Sequence, residues 1–293
     1  MDLETWACPT CFSRLGPHEG GFRCVDGGHP FASRDGLPIF LRREDEALLL
    51  DAKAYAAAWK RDVLAPPKGS VLELPFVASP YWRPKARSLQ ALLEILGPAR
   101  GRIVADMGAG TGWLSYRLSE AGFRCYATDI VADEDVGLGA ARAYDRTGHP
   151  FERAVASLSR WPFRAGSMDI AVCNASLHYL ADPRVAIAEA ARVLTAAGSL
   201  LVMNDPVHSD RRSAERASSD FKDRMRAGGG SGRLVDEHRH FIAAELEADL
   251  RTKFPKVSRH DPDFGAGFRV SRALKSIVLR MELASFPIYV ARR

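Results

Sequence analysis

Two constellations in this 293-residue chain have the residue types and spacing to do chemistry. The first is Cys8-Pro9-Thr10-Cys11, followed by Cys24 and His29. A Cys-x2-Cys pair sets two thiolates on a tight knuckle, and Cys24-x4-His29 can complete a tetrahedral Cys3His zinc site. About forty residues bury too little core to fold unaided, and a metal staple supplies what is missing. His18 is the weaker choice of fourth ligand. A redox reading of Cys-x-x-Cys needs a thioredoxin-like βαβ setting, which is absent around residues 8–11. Cys125 and Cys173 fall in predicted strands and read as inert core residues.

The second constellation is Asp106-Met107-Gly108-Ala109-Gly110-Thr111-Gly112, with Asp129 further on. Glycines at that spacing let a backbone turn sharply after a strand and approach a ligand closely. The dinucleotide fingerprint Gly-x-Gly-x-x-Gly is not met, because Trp113 and Ser115 stand where its third glycine would fall. The spacing is Gly-x-Gly-x-Gly with an acid two residues before it, and no pyrophosphate cradle is implied. Asp129 ends the next predicted strand, Phe123 to Thr128. A carboxylate across the crevice from the loop can accept hydrogen bonds from both hydroxyls of a ribose. The plainer reading of Asp129 is a strand-end cap.

These residues need elements to position them. From Arg102 the pattern alternates between apolar strand runs and helices. Strands are expected at Ile103–Asp106, Phe123–Thr128, Phe151–Val155, Met168–Cys173 and Ser199–Asn204. Helices are expected at Trp113–Ala121, Ala132–Arg146 and from Asp182-Pro183 to near Gly198. Repeated βα units predict a mostly parallel sheet with helices on both faces. Before this region, helices are expected at about Glu44–Val63 and Lys85–Leu96, separated by an irregular stretch. After it, His208–Gly232 is polar and reads as a flexible break around Gly228-Gly229-Gly230-Ser231-Gly232. Asp236–Arg251 and Val270–Leu283 read as helices, and Lys256–Arg259 and Pro287–Ala291 as the last strands.

With the glycine loop and Asp129 in place, residues 102–205 resemble the core of class I S-adenosylmethionine-dependent methyltransferases. The resemblance implies an α/β, Rossmann-like, seven-stranded, mostly parallel sheet of order 3-2-1-4-5-7-6, beside a small N-terminal zinc ribbon. Asp106, Gly108, Gly110 and Gly112 match the first motif, whose backbone meets the methionine part of the cofactor, with Ala109 between them. Asp129 matches the ribose-binding acid, with Ile130 beside it. Ser157 to Phe163 matches the stretch bordering the adenine; Ser157 stands where an acid is frequent, and the Leu158 backbone is left to serve. Asn174 to Leu180 matches the loop after the fourth strand, and Ala188 to Gly198 the helix and turn into the fifth. The implied division is a zinc ribbon at 1–41, a helical linker and lid at 42–101, and an S-adenosylmethionine-binding domain at 102–293 with inserts at 206–235 and 261–285.

A sulfonium methyl is already electrophilic, so such a protein supplies proximity and alignment. A base is needed only for an acceptor protonated at neutral pH. His178 is the candidate, or else a structural histidine beside the pocket. Asn174 is a candidate to orient cofactor or substrate. It lacks a following Pro-Pro-aromatic, so it does not resemble the nucleic-acid adenine methyltransferase motif. Tyr81, Trp82 and His208 are candidates to line an acceptor pocket.

The acceptor is expected to be a small molecule or lipid-like. The runner-up is RNA, since ribosomal RNA guanine-N1 methyltransferases have a similar ribbon, although the link after it differs here. Residues 251–293 carry ten Lys/Arg against three acids, so this end is +7 and the remainder −2 of a net +5. That could meet an anionic partner or be a solvated face, and no dense basic block favours the former. A third reading is a non-catalytic module that keeps fold and zinc. With 46% hydrophobic and 26% charged residues, no long apolar run and no signal-peptide pattern, a cytoplasmic globular protein is expected.

Overall fold

The computed structural model describes residues 1–62 and 65–293. The expected helix end at Val63 lies outside the described residues. The N-terminal segment forms β1 (Leu15–His18), β2 (Gly21–Cys24), β3 (Pro30–Arg34) and β4 (Leu37–Phe40), a meander of antiparallel pairs. Next come α1 (Leu48–Trp59) and α2 (Trp82–Leu96). The alternating region gives β5 (Ile103–Met107), α3 (Trp113–Glu120), β6 (Arg124–Asp129), β7 (Glu152–Ala156), β8 (Met168–Asn174), α4 (Arg184–Val193) and β9 (Leu194–Met203). The remainder is β10 (Val207–His208), α5 (Arg211–Ala227), α6 (Arg233–Asp236), β11 (Phe241–Ile242), α7 (Ala243–Arg251), β12 (Lys256–His260), α8 (Ala266–Leu279) and β13 (Ile288–Arg292).

The expected count of seven strands is corrected. One mixed sheet of eleven strands runs β1-β2-β3-β4-β7-β6-β5-β8-β9-β13-β12. The added strands come from the N-terminal segment, because β4 pairs in parallel with β7, Ile39 opposite Val155 and Phe40 opposite Ala156. Within the sheet, β7-β6-β5-β8-β9 are parallel neighbours and β13 turns antiparallel to β9. Strand order therefore reverses on either side of β5. The carboxyl ends of β5 and β8 open the crevice where such sheets take ligands.

Apolar side chains cover both faces of the sheet. Val104, Cys125, Ala127, Ile170, Val172 and Leu201 face α2 and α3, and Ala105, Tyr126, Ala171, Cys173 and Leu200 face the opposite side. Cys125 and Cys173 are buried, and burial pushes both thiols above the usual range, which suits an inert packing role.

The start of the chain locks onto this second face. Trp6 is fully buried, its ring 4.8 Å from Phe163, 5.4 Å from Phe40 and 5.7 Å from Tyr126. Ala7 N–H donates to the Pro162 carbonyl at 2.8 Å. The Phe12 ring lies 3.7 Å from the guanidinium carbons of both Arg160 and Arg192.

Four helical expectations change, and the first is the helix expected to run to near Gly198, which stops at Val193 because Leu194 already begins β9. His208–Gly232 is not a flexible break: α5 occupies 17 residues, begun by Asp210 accepting from Ser213 N–H at 2.8 Å. Its composition is polar because only Ala214, Phe221 and Met225 are buried apolar residues, spaced for one face. Asp236–Arg251 is split, because Phe241 and Ile242 pair with Val207 and His208 before α7 begins. Helix in Ala132–Arg146 is confined to a 3-10 segment, Leu138–Arg146, since Asp133 Oδ1 caps a preceding turn through Asp135 and Val136 N–H.

Trp6→Ala removes the ring that joins the N-terminal strands to the sheet. It is expected to lower the unfolding free energy by about 3–5 kcal/mol. Urea denaturation measures this, and a loss below about 1 kcal/mol would contradict so tight a union.

Candidate functional site

The loop after β5 is held in place by the end of β6. Gly108 and Ala109 N–H both donate to the Thr128 carbonyl, at 2.8 and 2.9 Å. Gly110 N–H donates to Asp129 Oδ2 at 2.7 Å, and Val131 N–H to Asp129 Oδ1 at 2.8 Å. Each Asp129 oxygen therefore keeps about one free lone pair. Glycine is required twice in this loop. Gly108 sits at φ +76, where a Cβ would lie 2.3 Å from the Ser176 Cβ. Gly112, at φ +74, would bring a Cβ to 2.7 Å from the Phe151 ring. Gly110, also left-handed, would instead point a Cβ into open space.

Beneath the loop, Asp106 is completely buried. Its Oδ2 accepts from Ser115 Oγ at 2.8 Å, while Oδ1 has no partner among the described residues. Burial, aided by the nearby Asp129 charge and opposed by the Ser115 bond, lifts the Asp106 carboxyl to about 7. Burial also raises Asp129. A cationic ligand in the crevice would relieve both carboxylates.

The crevice opens into a cavity of about 510 Å³ at the carboxyl ends of β5 to β9. Of the residues predicted from sequence, Gly108, Ala109, Gly110, Asp129, Ile130, Leu158, Asn174 and His178 line it, as do Tyr81 and Trp82. Asp106 and Gly112 lie behind the lining. Ser157 is turned away, its Oγ 2.8 Å from Ser159 Oγ, while Ala156 and Leu158 on either side face the cavity. His208 is buried behind the lining, its Nε2 2.9 Å from Nδ1 of His240, which does line the cavity.

Asn174 Oδ1 accepts from Asn204 Nδ2 at 2.8 Å, and Asn204 Oδ1 accepts from Ser88 Oγ at 2.8 Å. This buried chain fixes the ends of β8 and β9 against α2. Ala175 and Asn204 adopt positive φ, +53 and +57, and both line the cavity. Strain of that kind persists where the surroundings over-determine it, and ligand sites are common among such places.

His178 has a partner that sequence reasoning missed. Its Nδ1 lies 2.6 Å from Asp205 Oδ1, which also accepts His178 N–H at 3.0 Å. An ionised carboxylate only accepts, so Nδ1 carries the proton and Nε2 is left as the acceptor. Asp205 lies two residues past the end of β9, much as Asp129 ends β6, and that placement was the signal available.

The roof is aromatic. α1 supplies Tyr55 and Trp59, rings stacked 6.0 Å apart, and Tyr55 Oη meets Tyr179 Oη at 2.6 Å. α2 supplies Tyr81, Trp82 and Lys85, whose ammonium lies 4.6 Å from the Tyr81 ring centre. Lys85 is buried and lines the cavity, and no ion pair is formed by it among the described residues. Phe221 of α5 closes one side, stacked 3.6 Å from His238. Burial holds His238 and His240 below the usual histidine range, so both are neutral at pH 7.

At the far end of the sheet, Cys8, Cys11, Cys24 and His29 bring their ligand atoms within 4.8 Å of one another. His18 stands apart, paired with Arg23 at 2.7 Å.

The raised Asp106 carboxyl has a pH signature. The folded state holds a proton that the unfolded chain releases near 3.8, so this contribution is full below 3.8 and is lost as pH rises through about 7. Asp106→Asn is expected to remove that decline. Melting curves of both proteins across this range measure the difference; a pH-independent difference would contradict it.

Comparison with known proteins finds likenesses to methyltransferases. Residues 105–202 match the methyltransferase domain family. An uncharacterised chloroplastic methyltransferase of Arabidopsis thaliana is 23% identical over 226 residues, 67% of this chain and 60% of its own. A demethylmenaquinone methyltransferase of Mycobacterium tuberculosis is 32% identical over 122 residues, 42% of this chain and 46% of its own. The chain thus spans between 46% and 60% of the length of these two relatives. Among solved structures, the geranyl diphosphate C-methyltransferase of Streptomyces coelicolor superposes with a TM-score of 0.57 at 14% identity, covering 83% of this chain and 98% of that one. The fold is therefore the α/β fold seen in that methyltransferase, and residues 105–202 are similar to the methyltransferase domain family.

Proposed function

We propose that the chain transfers a methyl group from S-adenosylmethionine to a small, largely apolar acceptor. The observation that carries this reading is the shared crevice of the Gly108–Gly112 loop and Asp129, held together by the Gly110 to Asp129 bond. The free lone pairs of Asp129 suit a ribose diol, and the open side of Gly110 suits close approach by the amino-acid part. Asp106, Gly112 and Ser157 act from behind: Asp106 and Gly112 shape the loop, and Ser157 positions Leu158 and Ala156 beside the adenine. Ile130 and Ala109 pack along the nucleoside, and Asn174 orients the end facing the acceptor. The net positive charge of the cofactor fits a crevice whose two carboxylates are raised by burial. When bound, the cofactor supplies an electrophilic methyl carbon.

The chain's own residues do the rest. The aromatic roof excludes water and holds an apolar acceptor; the mycobacterial relative named above takes a demethylmenaquinone by its name. Lys85 offers a positive charge to an anionic group. His178, oriented by Asp205, accepts the proton of a protic acceptor at Nε2.

Calorimetry is expected to show S-adenosylmethionine binding that Asp129→Ala weakens by about a hundredfold. Labelled methyl should pass to a product in a small-molecule or lipid extract. Unchanged affinity in Asp129→Ala would overturn the reading. His178→Ala is expected to slow transfer about a hundredfold or more while cofactor affinity stays. Equal turnover would remove its role as base.

The reading extends to zinc at Cys8, Cys11, Cys24 and His29. Cys11 and Cys24 Sγ are 3.3 Å apart, and Cys8 Sγ is 3.5 Å from His29 Nδ1. A tetrahedron with bonds of about 2.0–2.3 Å has edges of about 3.5–3.8 Å, so the donors fit after small shifts. Zinc would pin the knuckles of strands that extend the main sheet, a structural role. Metal analysis should find about one zinc per chain, lost with a lower melting temperature in Cys24→Ser. A zinc-free protein of equal stability would contradict this.

A further inference from the structure

Helix α8 leaves an apolar stripe in the open. Val270, Leu274, Ile277 and Val278 recur at helical spacing on one stripe and are 59%, 60%, 74% and 80% exposed. The side that meets the protein carries Phe268, Arg272 and Ser276, with Leu279 at the helix end. Arg272 donates to the Ala284 carbonyl and lies over the Phe268 and Phe286 rings, and Ser276 Oγ donates to the Met281 carbonyl at 2.7 Å. Of eleven exposed large apolar residues in the described structure, five, including Leu279, lie on this one helix, so the patch is concentrated.

The charge around the stripe selects what covers it. Residues 264–281 contain Arg269, Arg272, Lys275 and Arg280 and no acid. Arg269 pairs with Asp263, but Lys275 and Arg280 are exposed and form no ion pair among the described residues. An apolar stripe flanked by unpaired cations is the pattern of a helix lying in the plane of an anionic lipid surface. No helix among the described residues is long and apolar enough to cross a membrane, so the contact is a surface one. The helix also ends at the site. Leu279, Met281, Leu283 and Phe286, at the end of α8 and just after it, line the cavity.

We propose that the exposed face of α8 docks the protein on an anionic bilayer, next to the cavity entrance. The docking does not require methyl transfer. It deepens the proposed function in one respect: on that reading, an apolar acceptor enters from the lipid rather than from water.

The test uses the full chain without cofactor and sucrose-loaded vesicles of phosphatidylcholine, alone or mixed equally with phosphatidylglycerol. The protein should pellet with the mixed vesicles and much less with the neutral ones. Val278→Glu, at an exposed position, should reduce binding about tenfold, and Lys275→Glu about fivefold. Calorimetry with S-adenosylmethionine on the same variants should be unchanged, which separates failure of docking from failure of the methyl-transfer reading. No pelleting with mixed vesicles, or equal pelleting of wild type and both variants, would overturn the proposal. So would a wild-type dimer in sedimentation that Val278→Glu splits, since a second copy would then cover the stripe.

Discussion

One hydrogen bond, from Gly110 N–H to the Asp129 carboxylate at 2.7 Å, ties the turn after β5 to the end of β6, and the site is built around it. The adjacent Gly108 and Ala109 amides are spent on the Thr128 carbonyl, so the loop cannot drift away from β6. That bond sets the crevice at the point where strand order reverses, and it fixes the orientation of the Asp129 carboxylate at the opening. Asp106 beneath it gains no such partner for its second oxygen among the described residues, and burial raises it to about 7. The loop is thus braced from the side by a hydrogen-bonded acid and from below by one that prefers a proton.

The other half of the cavity is made by elements far from this motif. α1 and α2 lay an aromatic roof over the strand ends, while α5 and α6 pack Phe221, Met225 and Val235 against Ala58, Tyr55 and Trp59. The Ser88–Asn204–Asn174 chain keeps the floor in register with that roof. His178 gains its orientation from Asp205, whose other oxygen has no partner among the described residues. A mostly apolar chamber with a few directed polar groups is the usual form of a small-molecule site.

The central strands were legible because strands buried on both faces read as unbroken apolar runs, and Asp106, the glycines and Asp129 sit at their ends. The Cys/His cluster was legible because its ligands lie close in sequence. What escaped reading depended on distant contacts. The pairing of β4 with β7 turns a small ribbon into the edge of an eleven-stranded sheet, and nothing local in Leu37–Phe40 announces it. α5 buries only a thin stripe, so its polarity and the glycines after it masked it. Asp205 and Lys85 are single residues whose meaning comes only from a neighbour in space. Ser157 borders the adenine stretch in the sequence, and only the folded chain shows its Oγ meeting Ser159 Oγ.

The most direct test of the account is a crystal structure of the full chain with S-adenosylhomocysteine. The account predicts both ribose hydroxyls within about 3 Å of the Asp129 carboxylate and the amino-acid part along Gly108 to Gly110. A ligand bound elsewhere, or one whose ribose leaves Asp129 untouched, would contradict it.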